Sequence, residues 1–64
     1  MKSILDKAME ISKEFDKNIV VIVVRDAKTG KVDLYPFGKS QVEMMIGMAA
    51  GDQAKRIIET TKVN

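Results

Sequence analysis

Sixty-four residues, with 11 Lys and Arg against 9 Asp and Glu, make a single small domain of formal charge +2. The chain has no cysteine and no histidine, which excludes disulfides, the usual zinc sites, and Ser-His-Asp or Cys-His catalysis. A chain this short buries only about 60% of its extended surface, so without a covalent or metal staple its route to a stable core is self-association.

Residues 3–17 predict an amphipathic helix. Ser3 and Asp6 have the spacing of a capping box, with the shorter acid in place of Glu. Ile4, Leu5, Ala8, Ile11, Ser12 and Phe15 recur at helical spacing as one stripe, and Lys7, Glu10, Lys13, Glu14 and Lys17 point away from it. Asn18 is the expected left-handed cap. Asp6, Glu10 and Glu14 form an i, i+4 carboxylate row. Such a row would suit a cation or a basic partner, and its plainer reading is a solvated face laced with lysines.

Asn18–Phe37, NIVVIVVRDAKTGKVDLYPF, predicts a β-hairpin. Ile19 to Val24 are all β-branched. The segment from Asp26 to Lys31 is turn chemistry, with Gly30 where a positive φ is needed, and Val32 to Phe37 returns. With Asp26 opposite Lys31, one face carries Val20, Ile22, Val24, Asp33, Tyr35 and Phe37. The other carries Ile19, Val21, Val23, Val32, Leu34 and Pro36. Both faces are largely apolar, whereas a ribbon with one wet face alternates. The expectation is that the second set meets the chain's own helices and the first is covered by another copy. Pro36 donates nothing to a ladder, so the first strand is the better edge for pairing with a second copy. An Ile22→Lys chain should then unfold or aggregate.

The hairpin tip collects Arg25, Lys28 and Lys31. A basic ribbon can follow a phosphate backbone, with only Tyr35 and Phe37 able to stack on bases; the plainer reading is a solubilising turn. Gly38-Lys39-Ser40 is half of a P-loop, because the first glycine of G-x-x-x-x-G-K-[ST] would fall on Asp33. A glycine, Lys39 and a helix N-terminus still make a possible anion site, against the simpler role of Ser40 as a cap.

Residues 40–61 predict the second helix, opened by the Ser40 to Glu43 capping box. Val42, Met45, Ile46, Ala49, Ala54, Ile57 and Ile58 form the expected core stripe. Met44, Gly47, Met48 and Gly51 form an adjacent stripe whose glycines would admit another helix or strand, and it is expected at an oligomer contact. The helix is read as continuous, the alternative being a break at Gly51 with Asp52 capping a new helix. Residues 60–64 are expected to fray.

No carboxylate pair has the spacing or apolar setting of an acid–base pair, so neither an enzyme nor a cofactor is expected. Charges interrupt the apolar run of MKSILDKAME, unlike a signal peptide. No apolar run approaches the roughly 20 residues of a membrane span. The lack of cysteine fits a reducing cytoplasm.

The segment VVIVVRDAKTGKVDLYPFGKSQVEMMIGMAAGDQAKRIIE resembles short orphan proteins encoded by bacteriophages, in which a hairpin with a basic or polar tip runs through a glycine into a helix rich in Met, Gly and Ala. The resemblance covers roughly the last two-thirds of the chain. It implies a small non-catalytic accessory that inhibits a host enzyme or a host defence component.

The combined expectation is an α+β domain of order α-β-β-α, a homodimer or higher oligomer, whose role is to bind and modulate a larger protein. Two alternatives stay open. One is a sequestering protein for an anionic ligand such as a nucleotide, built from Gly38, Lys39, Ser40 and the basic tip between protomers. The other is a nucleic-acid binder using Arg25, Lys28 and Lys31.

Overall fold

The structure, a computed structural model, describes residues 2–61. It consists of α1 (Ile4–Glu14), β1 (Ile19–Arg25), β2 (Val32–Gly38) and α2 (Gln41–Thr60), the α-β-β-α order read from the sequence. Of the segment expected to fray, Thr60 ends α2 and Thr61 caps it, while residues 62–64 lie outside the described range.

Ser3 opens α1 with a complete capping box. Its hydroxyl accepts from the Asp6 N–H, and the Asp6 carboxylate accepts from the Ser3 N–H. The helix closes three residues earlier than its periodicity suggested. Phe15 is the cap and Asp16 takes the left-handed turn, with φ 53°. Asn18, expected in that role, instead accepts a ladder-like bond from the Lys39 N–H at 3.0 Å. The physical reason is Ser12. Its carbonyl accepts from the Lys17 N–H at 2.9 Å and its buried hydroxyl donates to the Lys17 carbonyl at 2.5 Å. The first of these bonds is the six-residue closure of a Schellman turn.

The hairpin has the expected register, from Ile19 opposite Gly38 to Arg25 opposite Val32. The turn is drawn in by Asp26, whose N–H donates to the Lys31 carbonyl at 2.8 Å, and Gly30 has φ 76°, a left-handed value that favours glycine.

The two helices lie on opposite faces of this two-stranded ribbon, making three layers. Gly47 and Gly51 of α2 are buried against Ile19, Val21, Leu34 and Pro36. On the other side, Ile4 shares a surface recess with Val24, Asp33 and Tyr35, and Met9 and Ser12 share one with Phe37. Ala8, at the centre of α1, is fully buried. Among the described residues no Cα of α1 comes within 8 Å of one in α2. A hairpin apolar on both sides thus receives one helix per side. Val20, Ile22, Val24, Tyr35 and Phe37, expected to await another copy, have α1 of their own chain over them.

The seating of α2 reverses the expected order of its stripes. Gly47 and Gly51 face the chain's own hairpin rather than another copy, and Val21 fits between them. A Cβ at Gly47 would stand 3.4 Å from Val21 Cγ2, and one at Gly51 would stand 3.1 Å from Val21 Cγ1. Met44, Ala54 and Ile58 flank this line at intermediate burial. Of the expected core stripe, Ala54 and Ile58 are thus on the packed side, while Val42, Met45, Ile46, Ala49 and Ile57 point to solvent. The bare glycine positions let strand and helix backbones close to contact distance, where dispersion is strongest. No strand is left for the bulkier stripe. The helix runs unbroken through Gly51-Asp52.

Candidate functional site

Three surfaces gather the residues that chemistry would use. The first is the outer face of α2. Projecting α2 at 3.6 residues per turn places Val42, Met45, Ile46, Ala49, Gln53, Arg56 and Ile57 on the side away from the buried Gly51. Val42, Met45, Ile46 and Ile57 keep 66%, 63%, 51% and 60% of their surface in water. Glu43 and Asp52 stand at the two margins of the stripe, and Arg56, bonded to Asp52 at 3.2 Å, enters the outer face in its C-terminal half, between the Ala49 turn and Ile57. An exposed apolar stripe with a charged rim is the composition of a protein-binding face. Met48 lies at its edge, half exposed; Met44 faces inward.

The second surface is the hairpin tip. Lys28 and Lys31 are exposed, and among the described residues neither forms an ion pair. The Arg25 guanidinium lies over Gly30, its Nη2 3.7 Å from where a Cβ there would stand. Its Nη1 lies 3.4 Å from the Ile58 carbonyl in the last turn of α2, where a cation complements the helix dipole. The tip therefore carries three cations, of which Arg25 is engaged at the Ile58 carbonyl and Lys28 and Lys31 are not.

Asp26 shapes this loop. Its Oδ1 accepts from the N–H groups of Thr29 and Lys28, both at 2.8 Å. Those bonds, Thr29 first, hold its carboxyl below the ordinary aspartate range. A carboxyl whose pKa falls on folding adds stability that is complete above its unfolded value of about 3.9. That stability is lost as pH falls through the folded value. Carbon-detected NMR should place the Asp26 midpoint below that of an unfolded aspartate, and Asp26→Asn should flatten the acid limb of stability in that window. A midpoint at or above the ordinary value would contradict the turn geometry.

The third surface is the end of the hairpin near Gly38, Lys39 and Ser40. Ser40 Oγ accepts from the Glu43 N–H at 3.2 Å, so the cap itself occupies part of the α2 N-terminus. Lys39 Nζ donates to Asp16 Oδ1 at 3.1 Å. Beside it an open cleft of about 670 Å³ runs between α1 and β2, with Met9 and Phe37 in its wall. Its charges are balanced: Lys2, Lys13 and Lys39 against Asp6, Glu10 and Asp16, with Lys2 paired to Glu10. This evenness gives the cleft no preference for an anion. Lys39 and Lys31 flank the two ends of a seven-residue strand, about 26 Å apart along the backbone at 3.3 Å per residue. Within one chain they do not form a common anion site.

The sequence reading did not anticipate this cleft, because it exists only once α1 lies on the Phe37 side. The carboxylate row of α1 is divided: Asp6 and Glu10 line the cleft, and Glu14 stands outside it. Among the described residues no group of three His, Cys, Asp or Glu side chains could hold a metal ion, and no helix is long and apolar enough to cross a membrane. Compared with protein-family models, curated proteins and solved structures, the chain matches none.

Proposed function

We propose that the chain is a small, non-catalytic, self-associating binding protein that docks the outer face of α2 into an apolar groove of a larger protein and modulates it. The observation that carries this reading is the exposed stripe Val42, Met45, Ile46, Ala49 and Ile57. Exposure of that much contiguous apolar side chain costs solubility and contributes nothing to the chain's own core. Anchors at i, i+3, i+4 and i+7 are the pattern of a helix laid in a groove. The resemblance to phage accessory proteins supports an inhibitor of a host enzyme or defence component as the kind of modulator. The balanced cleft and the Lys39–Asp16 pair weigh against an anionic ligand, and the dilution of Arg25, Lys28 and Lys31 by Asp26 and Asp33 weighs against a nucleic-acid backbone.

A photo-crosslinking residue tests this in the cells that carry the chain. Placed at Met45, it should give a covalent adduct with one larger protein; placed at Glu14 on α1, it should not. Ile46→Glu should abolish the adduct while leaving the melting temperature unchanged. No adduct at Met45, or adducts only between copies of the 7.1 kDa chain, would sink the reading.

A further inference from the structure

β1 is an edge strand with the sequence of an interior one. Near-continuous apolar runs belong to strands covered on both faces, and α1 and α2 cover β1 one on each. IVVIVV between Asn18 and Arg25 is such a run. Yet Val20 to Val24 are only half-buried and Ile19 is more exposed still, because the sheet has two strands and β1 has one neighbour.

The ladder shows what the free side of β1 offers. The Asp26 N–H donates to the Lys31 carbonyl and the Lys39 N–H to the Asn18 carbonyl. With the observed register, the pairs 24/33, 22/35 and 20/37 exchange the hydrogen bonds of the hairpin, and the alternate pairs point their N–H and C=O groups outward. On β1 those outward groups belong to Ile19, Val21, Val23 and Arg25. On β2 they belong to Val32, Leu34, Pro36 and Gly38, and Pro36 has no N–H to give. The β2 edge is thus interrupted and the β1 edge is whole. It carries none of the usual protections of an edge, neither an inward lysine, nor a proline, nor a bulge.

We infer that the β1 edge pairs antiparallel with β1 of a second copy about a two-fold axis at Ile22, giving a four-stranded sheet in the order β2-β1-β1-β2. This rests on the self-association in the reading above and not on the outer face of α2. In that register Val21 exchanges both backbone bonds with Val23 of the second copy, and Ile19 does so with Arg25. Ile22 stands beside Ile22, and no like charges come opposite. The axis is perpendicular to the sheet, so both α1 helices share one face and both α2 helices the other. Each helix then lies over four strands instead of overhanging two, which accounts for the half-exposed Ile4, Leu5, Met9 and Ile11 on α1.

The area agrees. The chain exposes 5126 Å², whereas a compact monomer of its mass, 7.1 kDa, exposes about 4,100 Å². The surplus is of the order of the roughly 800 Å² that one partner contributes to a stable interface, and the outer face of α2 and the α1–β1 side share it. A second copy is the occupant because the edge is self-complementary about its centre.

The test has two parts on the full chain. Light scattering on a size-exclusion peak should give twice the 7.1 kDa chain mass, and Ile46→Glu should leave that mass unchanged. Hydrogen exchange should find the Val21 and Val23 amides, which the hairpin does not use, protected by at least about 100-fold. Backbone N-methylation of Val23, which removes one outward donor and keeps the side chain, should halve the mass while Ile22 stays protected. A monomer at millimolar concentration overturns the inference. So does a dimer with unprotected Val21 and Val23 amides, or one that falls apart on Ile46→Glu and survives N-methylation at Val23.

Discussion

Gly38→Ala is expected to destabilise the domain by about 3 kcal/mol, the upper end of overpacking costs, and to leave much of the population unfolded at moderate urea. A Cβ on Gly38 would stand 2.7 Å from Met44 Cα and nearer still to Met44 N and Glu43 C. These are backbone atoms in the first turn of α2, so no side chain can swing aside. The helix would have to move as a body, and it is the helix that packs most extensively on the hairpin. A 64-residue chain has a total stability of about 3–10 kcal/mol, so the loss is a large fraction of the whole. With a urea slope near 1 kcal/mol/M, the midpoint should fall by about 3 M. Gly47→Ala supplies the contrast. Its Cβ meets only side-chain carbons at 3.4 to 3.5 Å, ordinary contact, and alanine gains about 1 kcal/mol in a helix interior. Gly47→Ala should therefore raise the midpoint. Gly51→Ala, at 3.1 Å from Val21, should fall between the two. Equal midpoints for the Gly38 and Gly47 variants would show that α2 does not seat on the ribbon as described.

Ala8→Glu is expected to release α1 and unfold the chain. Ala8 is fully buried at the middle of an 11-residue helix that, among the described residues, is supported by the ribbon and not by α2. A carboxylate there has no partner, and unpaired buried charge belongs to the short set of changes that cost more than about 4 kcal/mol. A free helix of this length does not persist in water. Far-UV circular dichroism should show the helical signal falling by more than the α1 share, because the exposed Val20, Ile22, Tyr35 and Phe37 face would destabilise the hairpin in turn. Glu14→Gln, on the exposed side of the same helix, should change the midpoint by less than about 0.5 kcal/mol. A soluble, fully helical Ala8→Glu chain would mean that α1 does not lie on the sheet.

The hairpin was legible because its signals are local and redundant. The β-branched run, the Asp26 turn and Gly30 agree with one another, and together they set the register. Both helix starts were legible for the same reason, since Ser3 and Ser40 sit where their hydroxyls can reach the third residue on. The facing of α2 was not legible. Its two stripes are both apolar, and larger side chains suggest a core more strongly than glycines do, yet the glycines gave the closer approach. Nor does periodicity say which face of a doubly apolar ribbon receives α1. The cleft beside Phe37 and Lys39 depends on that choice, so it could not be read before the layers were known. The exposed stripe of α2 was visible as a stripe, and only its direction was missing.

The two-stranded ribbon is a wall with a different occupant on each side. Even-numbered side chains of β1 belong to α1 and odd-numbered ones to α2, so the helices share strand backbone and no side chain. Sites without shared partners contribute independently. A change that loosens α1 reaches α2 only by shifting the strand itself, and β1 is held in place by Val21 between two glycines. Substitutions on the two helices should consequently add, and the outer surface of one helix is free to vary without re-solving the packing of the other.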